Sequence, residues 1–174
     1  MPLFSRRAQV PDEVLASLHL QPGERVLAAG TTVEGGHLVA TDRRVLLPQR
    51  STHRNLPWEL VERASWDRDS GVLTVVEAAR PGARAAQHVL RIEEPGRLVD
   101  VVREQVNRSV VLTRRLMVDG DRGIRVTGRR RPAGDDRPGL AWTVAVDPGL
   151  DVEDPQVRPR IDELVASVRA EVGE

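Results

Sequence analysis

The sequence predicts an α+β fold: a small antiparallel barrel or sandwich closed by one helix, followed by a β-β-β-α extension. Three observations support this. Six short segments rich in Val, Leu and Ala alternate with turn residues over residues 25–92. An amphipathic helical pattern follows at 95–107. Beyond it, three more strand-like segments precede a final helical stripe. With 174 residues the chain can form one domain, or one small domain with an appendage.

The first part of the chain is divided by turn residues into a helix and six strands. The helix begins at Pro11 and ends before Pro22. Asp42 is expected to accept backbone hydrogen bonds in a tight hairpin turn, and Arg44 to pair with a carboxylate, so both are predicted to be structural. Residues 49–55 are predicted to be a polar loop. The predicted strands are 25–33, 37–41, 44–48, 59–67, 72–77 and 87–92.

The helix predicted at 95–107 carries Leu98, Val99, Val102 and Val106 on one side, the stripe expected to close the strands below it.

The extension begins at residue 109, where the pattern changes. Strand-like segments at 109–118, 124–130 and 140–146 precede a helix in which Pro159 marks the start of the regular part. An extension of roughly 60 residues with one helix is marginal alone, so we expect it to dock on residues 12–108.

The composition indicates an aliphatic core. The chain has one Phe, three Trp and no Tyr. Each Trp is therefore a rare, large packing unit, and we expect Trp58, Trp66 and Trp142 to be structural and at least partly buried. All basic residues are Arg, and 26 of them balance 26 acidic residues. This zero net charge disfavours a dedicated binder of nucleic acid or of an anionic membrane.

The composition also bears on location. The chain has no cysteine, so disulfides, thiolate zinc sites and cysteine nucleophiles are excluded. No window approaches the ~18 apolar residues of a membrane span, and the N-terminus lacks the apolar segment of a signal peptide. We therefore expect a cytoplasmic protein without a transmembrane segment.

Two motifs near the start carry a resemblance. Residues 22–28 read Pro-Gly-Glu-Arg-Val-Leu-Ala, and residues 36–46 read Gly-His-Leu-Val-Ala-Thr-Asp-Arg-Arg-Val-Leu. They resemble the bacterial PH-like family, in which a P-G-E-x-V-L motif precedes a G-x-L-x-x-T-D-x-R hairpin. The resemblance covers about residues 12–108 and implies a PH-like antiparallel split barrel capped by the helix at 95–107.

The resemblance does not extend to lipid binding. Eukaryotic PH domains that bind phosphoinositides use a basic loop between the first two strands, whereas the loop at 31–36 contains Glu34 and no arginine. The chain from about residue 109 resembles the C-terminal part of actinobacterial proteins of similar length, which implies no activity. The exclusive use of Arg, typical of a GC-rich coding sequence, points to the same source.

No catalytic or metal-binding set emerges from the motifs. The four histidines lack the spacing of a zinc site. Residues 119–123 mimic the start of a calcium loop, but the bidentate Glu expected at its twelfth position is Arg130. No nucleophile elbow or glycine-rich phosphate loop is present. We therefore predict a protein that is not an enzyme and that holds neither a metal nor a cofactor.

Two charged segments remain. Residues 114–131 contain seven arginines and only two acids, Asp119 and Asp121, whereas residues 147–154 contain four acids and no arginine. The basic segment could form a β-ribbon that binds an acidic partner or nucleic acid, beside an acidic lip. Alternatively, the two segments are solvated faces or neutralise each other. The candidate partner-binding residues are Arg114, Arg115, Arg125, Arg129, Arg130 and Arg131.

Three functional hypotheses follow. The leading one is a non-catalytic binding or scaffold module that acts through protein–protein contacts. The second is regulatory binding of nucleic acid or of an acidic partner through the Arg114–Arg131 segment, although this segment lacks aromatic residues for stacking on single-stranded bases. The third is a small-molecule or lipid pocket at the barrel mouth. Homo-oligomerisation is left open.

Overall fold

The computed structural model describes residues 10–50, 52–79 and 85–174. Within these ranges the fold is α+β, with three antiparallel sheets and a C-terminal helix. The elements are α1 (Asp12–Ser17), β1 (Val26–Thr31), β2 (His37–Thr41), β3 (Arg44–Pro48), β4 (His53–Pro57), β5 (Val61–Asp67), β6 (Val72–Glu77), β7 (Gln87–Arg91), α2 (Leu98–Ser109), β8 (Val110–Asp119), β9 (Arg122–Arg129), β10 (Ala141–Val146) and α3 (Val157–Ala170).

The first sheet has the order β1-β2-β3-β4. Its β2–β3 hairpin lies where the sequence predicts it, but the loop predicted at 49–55 is wrong in part, because β4 begins at His53. This edge strand pairs with β3 from Arg44↔Pro57 to Pro48↔His53. It has one buried side chain, Leu56, so its pairing rests on backbone hydrogen bonds and leaves little apolar pattern in the sequence.

The second sheet has the order β5-β6-β7. A 3-10 helix, Trp58–Leu60, leads into it, so β5 starts at Val61, two residues later than predicted. In the described ranges neither this sheet nor the first closes on itself, and an isolated bridge between Thr32 and Ile92 links the two. The α+β class is therefore confirmed, whereas the PH-like split barrel expected from the resemblance stays a prediction.

Helix α2 covers the cluster that the two sheets share. Its side chains Leu98, Val101, Val102 and Val106 pack with buried residues of both sheets and with Trp58 of the 3-10 helix. The helix starts at Leu98, whose N–H is bonded to the carbonyl of Pro95, and so begins three residues later than predicted. Val99, expected on the apolar stripe, is only half-buried.

The opposite face of the first sheet is covered by α1 and the residues after it. Leu18, Ala29, Val39 and Leu46 form a second buried cluster there. The first sheet is thus apolar on both faces, which explains why β2 and β3 are nearly continuous in Val, Leu and Ala.

The tail forms the third sheet, of order β10-β9-β8, with α3 on one face. It has its own buried cluster, which contains Ile124, Val126, Ile161 and Val168. Trp142 packs against this cluster, whereas Trp58 is buried in the first one and Trp66 is half-buried beside it. The three tryptophans therefore serve two cores. None of the helices within the described ranges has the length and hydropathy that a membrane-spanning helix requires.

Candidate functional site

Arg129 joins the tail to the first part of the chain. It is only 4% exposed. Its Nη1 donates to the Ser109 hydroxyl at 2.7 Å and to the Val106 carbonyl at 3.3 Å, and its Nη2 donates to the Glu62 carbonyl at 2.8 Å. Val106 and Ser109 lie in the last turn of α2, where free carbonyls attract cations. Arg129, predicted to bind a partner, thus lies inside the protein.

Burial lowers the pKa of the Arg129 guanidinium, and the nearby charge of Glu62 partly offsets this effect. The charge of Arg129 is therefore held in the interior by carbonyl and hydroxyl groups, without a carboxylate among its hydrogen-bond partners.

A second contact joins the tail to the 3-10 helix. The Glu59 carboxylate is 1% exposed, and its Oε1 lies 3.5 Å from Nη2 of Arg137. Its Oε2 has no hydrogen-bond partner among the described atoms. Burial raises the pKa of Glu59, and the charge of Asp135 raises it further. Hydrogen bonds from Arg137 lower the pKa of Asp135 to about 2.

The β2–β3 hairpin is held by a buried ion pair. Arg44 donates from Nε and Nη2 to the two carboxylate oxygens of Glu24, at 2.8 and 2.9 Å, and Thr41 donates its hydroxyl to Glu24 at 2.8 Å. The prediction that Arg44 pairs with a carboxylate is thereby met. Asp42 accepts from the backbone N–H of Arg25 at 3.0 Å, so its bond ties the hairpin to the start of β1 instead of closing the turn.

A groove of about 270 Å³ lies between this hairpin, the end of α2 and the chain after β9. We call it the arginine groove. Its charged lining residues are four arginines and one aspartate, a net formal charge of +3. These residues are Arg25, Arg108, Arg130, Arg131 and Asp42.

The neutral lining of the groove includes Trp58, whose Nε1 donates to the Thr41 carbonyl at 2.9 Å, and the side chains of Gln105 and Pro132. The groove therefore combines positive charge with a limited apolar surface.

Two of the groove arginines are compensated and two are not. Arg25 pairs with Asp42 at 3.2 Å, and Arg131 lies 3.9 Å from Asp135. Within the described ranges, no carboxylate oxygen lies within 4.0 Å of Arg108 or Arg130. Like charges converging in a concave surface raise the local positive potential, which favours an anionic group between them.

The other predicted arginines lie elsewhere. Arg114 faces α3 and pairs with Glu171 at 2.8 Å, while Arg115 pairs with Asp147 at 2.7 Å. Arg125 is exposed and directly opposite Arg115 in the register of β8 and β9. The six predicted arginines are therefore split: three lie on the tail sheet, Arg129 is buried at the junction, and Arg130 and Arg131 line the groove.

No family model, curated protein or solved structure matches this chain. The chemistry of the groove is accordingly inferred from its geometry alone.

Among the described residues, no three His, Asp or Glu side chains gather as metal ligands. His53 contacts the carbonyl of His37 at 3.0 Å, and His88 contacts Glu77 at 2.6 Å, so both rings are engaged in local contacts.

Sequence reasoning misses Arg25 and Arg108 as groove residues. Arg25 follows the Pro-Gly-Glu turn and Arg108 is an exposed residue of an amphipathic helix, positions at which a solvated arginine is ordinary. One signal could have indicated Arg108. It lies in the last turn of a helix that is followed directly by a strand, and such a turn lies where two elements meet.

Proposed function

We propose that the protein is a non-catalytic binding module that holds an acidic segment of a partner protein in the arginine groove. The supporting observation is that Arg108 and Arg130 face a concave surface without a described carboxylate partner. Charge complementarity of this kind speeds encounter and selects partners. The groove has room for a few carboxylate side chains, and Pro132 and Ala133 supply its accessible apolar surface.

The same observations make nucleic acid the weaker alternative. Arg114 and Arg115 are engaged in ion pairs and Arg129 is buried, so the Arg114–Arg131 segment does not offer a continuous basic strip. The net charge of the chain is zero. Trp58 is 3% exposed and cannot stack on a base.

We also propose that residues 12–108 form a PH-like domain with residues 109–174 docked on it. Support comes from the element order, in which a four-stranded and a three-stranded antiparallel sheet are followed by a helix that packs on both. The groove is lined from both parts, since Arg108 precedes the tail and Arg130 belongs to it. Partner binding would then require the docked tail.

The test is a binding assay with a short fluorescein-labelled peptide rich in Glu and a matched peptide in which Gln replaces Glu. We expect the Glu peptide alone to raise the anisotropy, with weaker binding at about 300 mM than at about 50 mM NaCl. The double variant Arg108→Glu/Arg130→Glu should weaken binding by about tenfold or more, because it reverses both uncompensated charges.

The matched control is Arg91→Glu/Arg160→Glu, which makes the same charge change at exposed positions outside the groove. It should bind like the unaltered protein. Equal binding by the groove variant and the control would contradict the proposal. A DNA duplex that binds more tightly than the Glu peptide, and that is released by Arg115→Glu/Arg125→Glu, would support the nucleic-acid alternative instead.

A further inference from the structure

A second cavity, of about 250 Å³, is also lined by residues of both parts of the chain. It is bounded by the face of the tail sheet that points away from α3 and by residues of β5 and the end of β6. We call it the threonine cavity. The arginine groove and this cavity have no lining residue in common.

Three threonine side chains form a row across this face of the tail sheet. Thr113, Thr127 and Thr143 are directly opposite one another in the register of β8, β9 and β10, and all three line the cavity. The hydroxyl oxygens of Thr113 and Thr127 are 3.4 Å apart. Residues on alternate positions of these strands, such as Leu112 and Trp142, pack towards α3.

The row lies on the face of the tail sheet that α3 does not cover. Thr127 is buried, Thr143 is half-buried and Thr113 is exposed. The hydroxyl groups therefore line a cavity that is open to solvent and accessible to a ligand.

Arg129 lines the cavity and contributes positive charge to it. Its Nη1 donates two hydrogen bonds and its Nη2 donates one, while its Nε is closed to solvent and has no hydrogen-bond partner among the described atoms. Arg63 and Arg125 also line the cavity, and together these three arginines outnumber Glu62, the single lining acid. This surplus of positive charge favours an anionic ligand.

We propose that the threonine cavity binds a small organic carboxylate with an apolar body. The carboxylate would accept hydrogen bonds from Arg125 and from a threonine hydroxyl, and the positive charge of Arg129 would add to its attraction. The apolar body would lie against Ala78 and Ala145, which line the same space. The volume equals that of about eight liquid water molecules, which suits a ligand on the order of ten non-hydrogen atoms.

The experiment uses phenylacetate as the probe and the uncharged phenylacetamide as its matched control. Binding to the full chain is followed by NMR of the threonine methyl groups. We expect phenylacetate to shift the methyl signals of Thr113, Thr127 and Thr143, and phenylacetamide to bind about tenfold more weakly, because hydrogen bonds to a charged group are stronger than those to a neutral one.

Thr127→Val keeps the side-chain shape and removes a hydroxyl, so it should weaken phenylacetate binding by about fivefold. Thr74→Val, on β6 and outside the cavity lining, is the control and should leave binding unchanged. Both variants must retain the backbone spectrum of the unaltered protein.

Three results would overturn the proposal. One is the lack of any threonine methyl shift at about 20 mM phenylacetate, where even a millimolar site would be filled. Another is an equal response to phenylacetate and phenylacetamide. The last is a set of shifts centred on Gln105 and Arg108, which would place the acid in the arginine groove.

Discussion

At the scale of single residues, the ion pair between Glu24 and Arg44 is the most consequential contact of the β2–β3 hairpin. The side chain of Glu24 is fully buried and that of Arg44 is 10% exposed. Burial raises the pKa of Glu24, but hydrogen bonds from Arg44, Gln21 and Thr41 outweigh this effect and leave the pKa below its usual value. The pair stabilises the fold fully at pH values above the ordinary pKa of a glutamate. This contribution is lost as the pH falls through the lowered pKa of Glu24.

We predict that Glu24→Ala destabilises the protein by about 3–5 kcal/mol, because it leaves the guanidinium of Arg44 buried without a counter-charge. Urea unfolding at neutral pH measures the change. Arg25→Ala, which removes an exposed ion pair, should cost at most about 1 kcal/mol. If the two variants were equally stable, the Glu24 pair would not support the hairpin.

Glu59 has the opposite pH dependence. Its raised pKa means that the folded protein holds a proton more tightly than the unfolded chain, so stability falls as the pH rises from the ordinary value of 4.5 through the raised one. We predict that Glu59→Gln raises the unfolding free energy by about 1 kcal/mol at neutral pH, because the amide avoids a buried charge. Thermal melts across the pH range measure this. The gain should vanish below pH 4.5, and a gain that persists in acid would contradict the assignment.

At the scale of elements, Gly30 sets how closely α2 approaches β1. A Cβ at this position would lie 2.8 Å from Leu98 Cδ2 and 3.2 Å from Ile92 Cγ2. We predict that Gly30→Ala costs about 1–3 kcal/mol, because the added methyl group overpacks the contact. Combining it with Leu98→Ala should cost less than the sum of the single changes, as a double-mutant cycle in urea would show. Strict additivity would mean that the two residues do not compete for space.

Elements with a strong local signal could be predicted from the sequence, and those held by tertiary contacts could not. The β2–β3 hairpin has turn residues between two apolar runs, and it was predicted at its observed position. Strand β4 reads His-Arg-Asn-Leu-Pro, which carries no apolar alternation, and only its pairing with β3 makes it a strand. The apolar stripe predicts the helix at 98–109 but places its start three residues too early, because residues 96 and 97 form a turn before it.

The candidate site was less predictable for the same reason. Arg130 and Arg131 are predicted as partner-binding residues because they lie in a run of basic residues. Their neighbours Arg25 and Arg108 come from two other regions of the chain, and no local pattern relates these positions. Arg129 was selected with them but is buried, because the alternation of β9 turns it towards the end of α2.

At the scale of the whole molecule, Arg129 determines whether the two parts of the chain act as one body. We predict that Arg129→Met costs about 2–4 kcal/mol, because the carbonyls of Val106 and Glu62 and the Ser109 hydroxyl lose their partner. Calorimetry should then show the tail and the first part melting in separate transitions. Arg130→Met, its exposed neighbour, should change stability by at most about 0.5 kcal/mol. A single unshifted transition in Arg129→Met would contradict this role.

The position of Arg129 has a thermodynamic consequence. Its guanidinium donates to Ser109, a wall of the arginine groove, while Arg129 itself is a wall of the threonine cavity. A ligand that binds in the groove or in the cavity and shifts this side chain also alters the other site. By linkage, the two effects are equal: the factor by which an acid in the cavity changes the affinity of the groove for an acidic peptide is also the factor by which the peptide changes the affinity of the cavity for the acid. The junction would then be a point of allosteric communication as well as a joint.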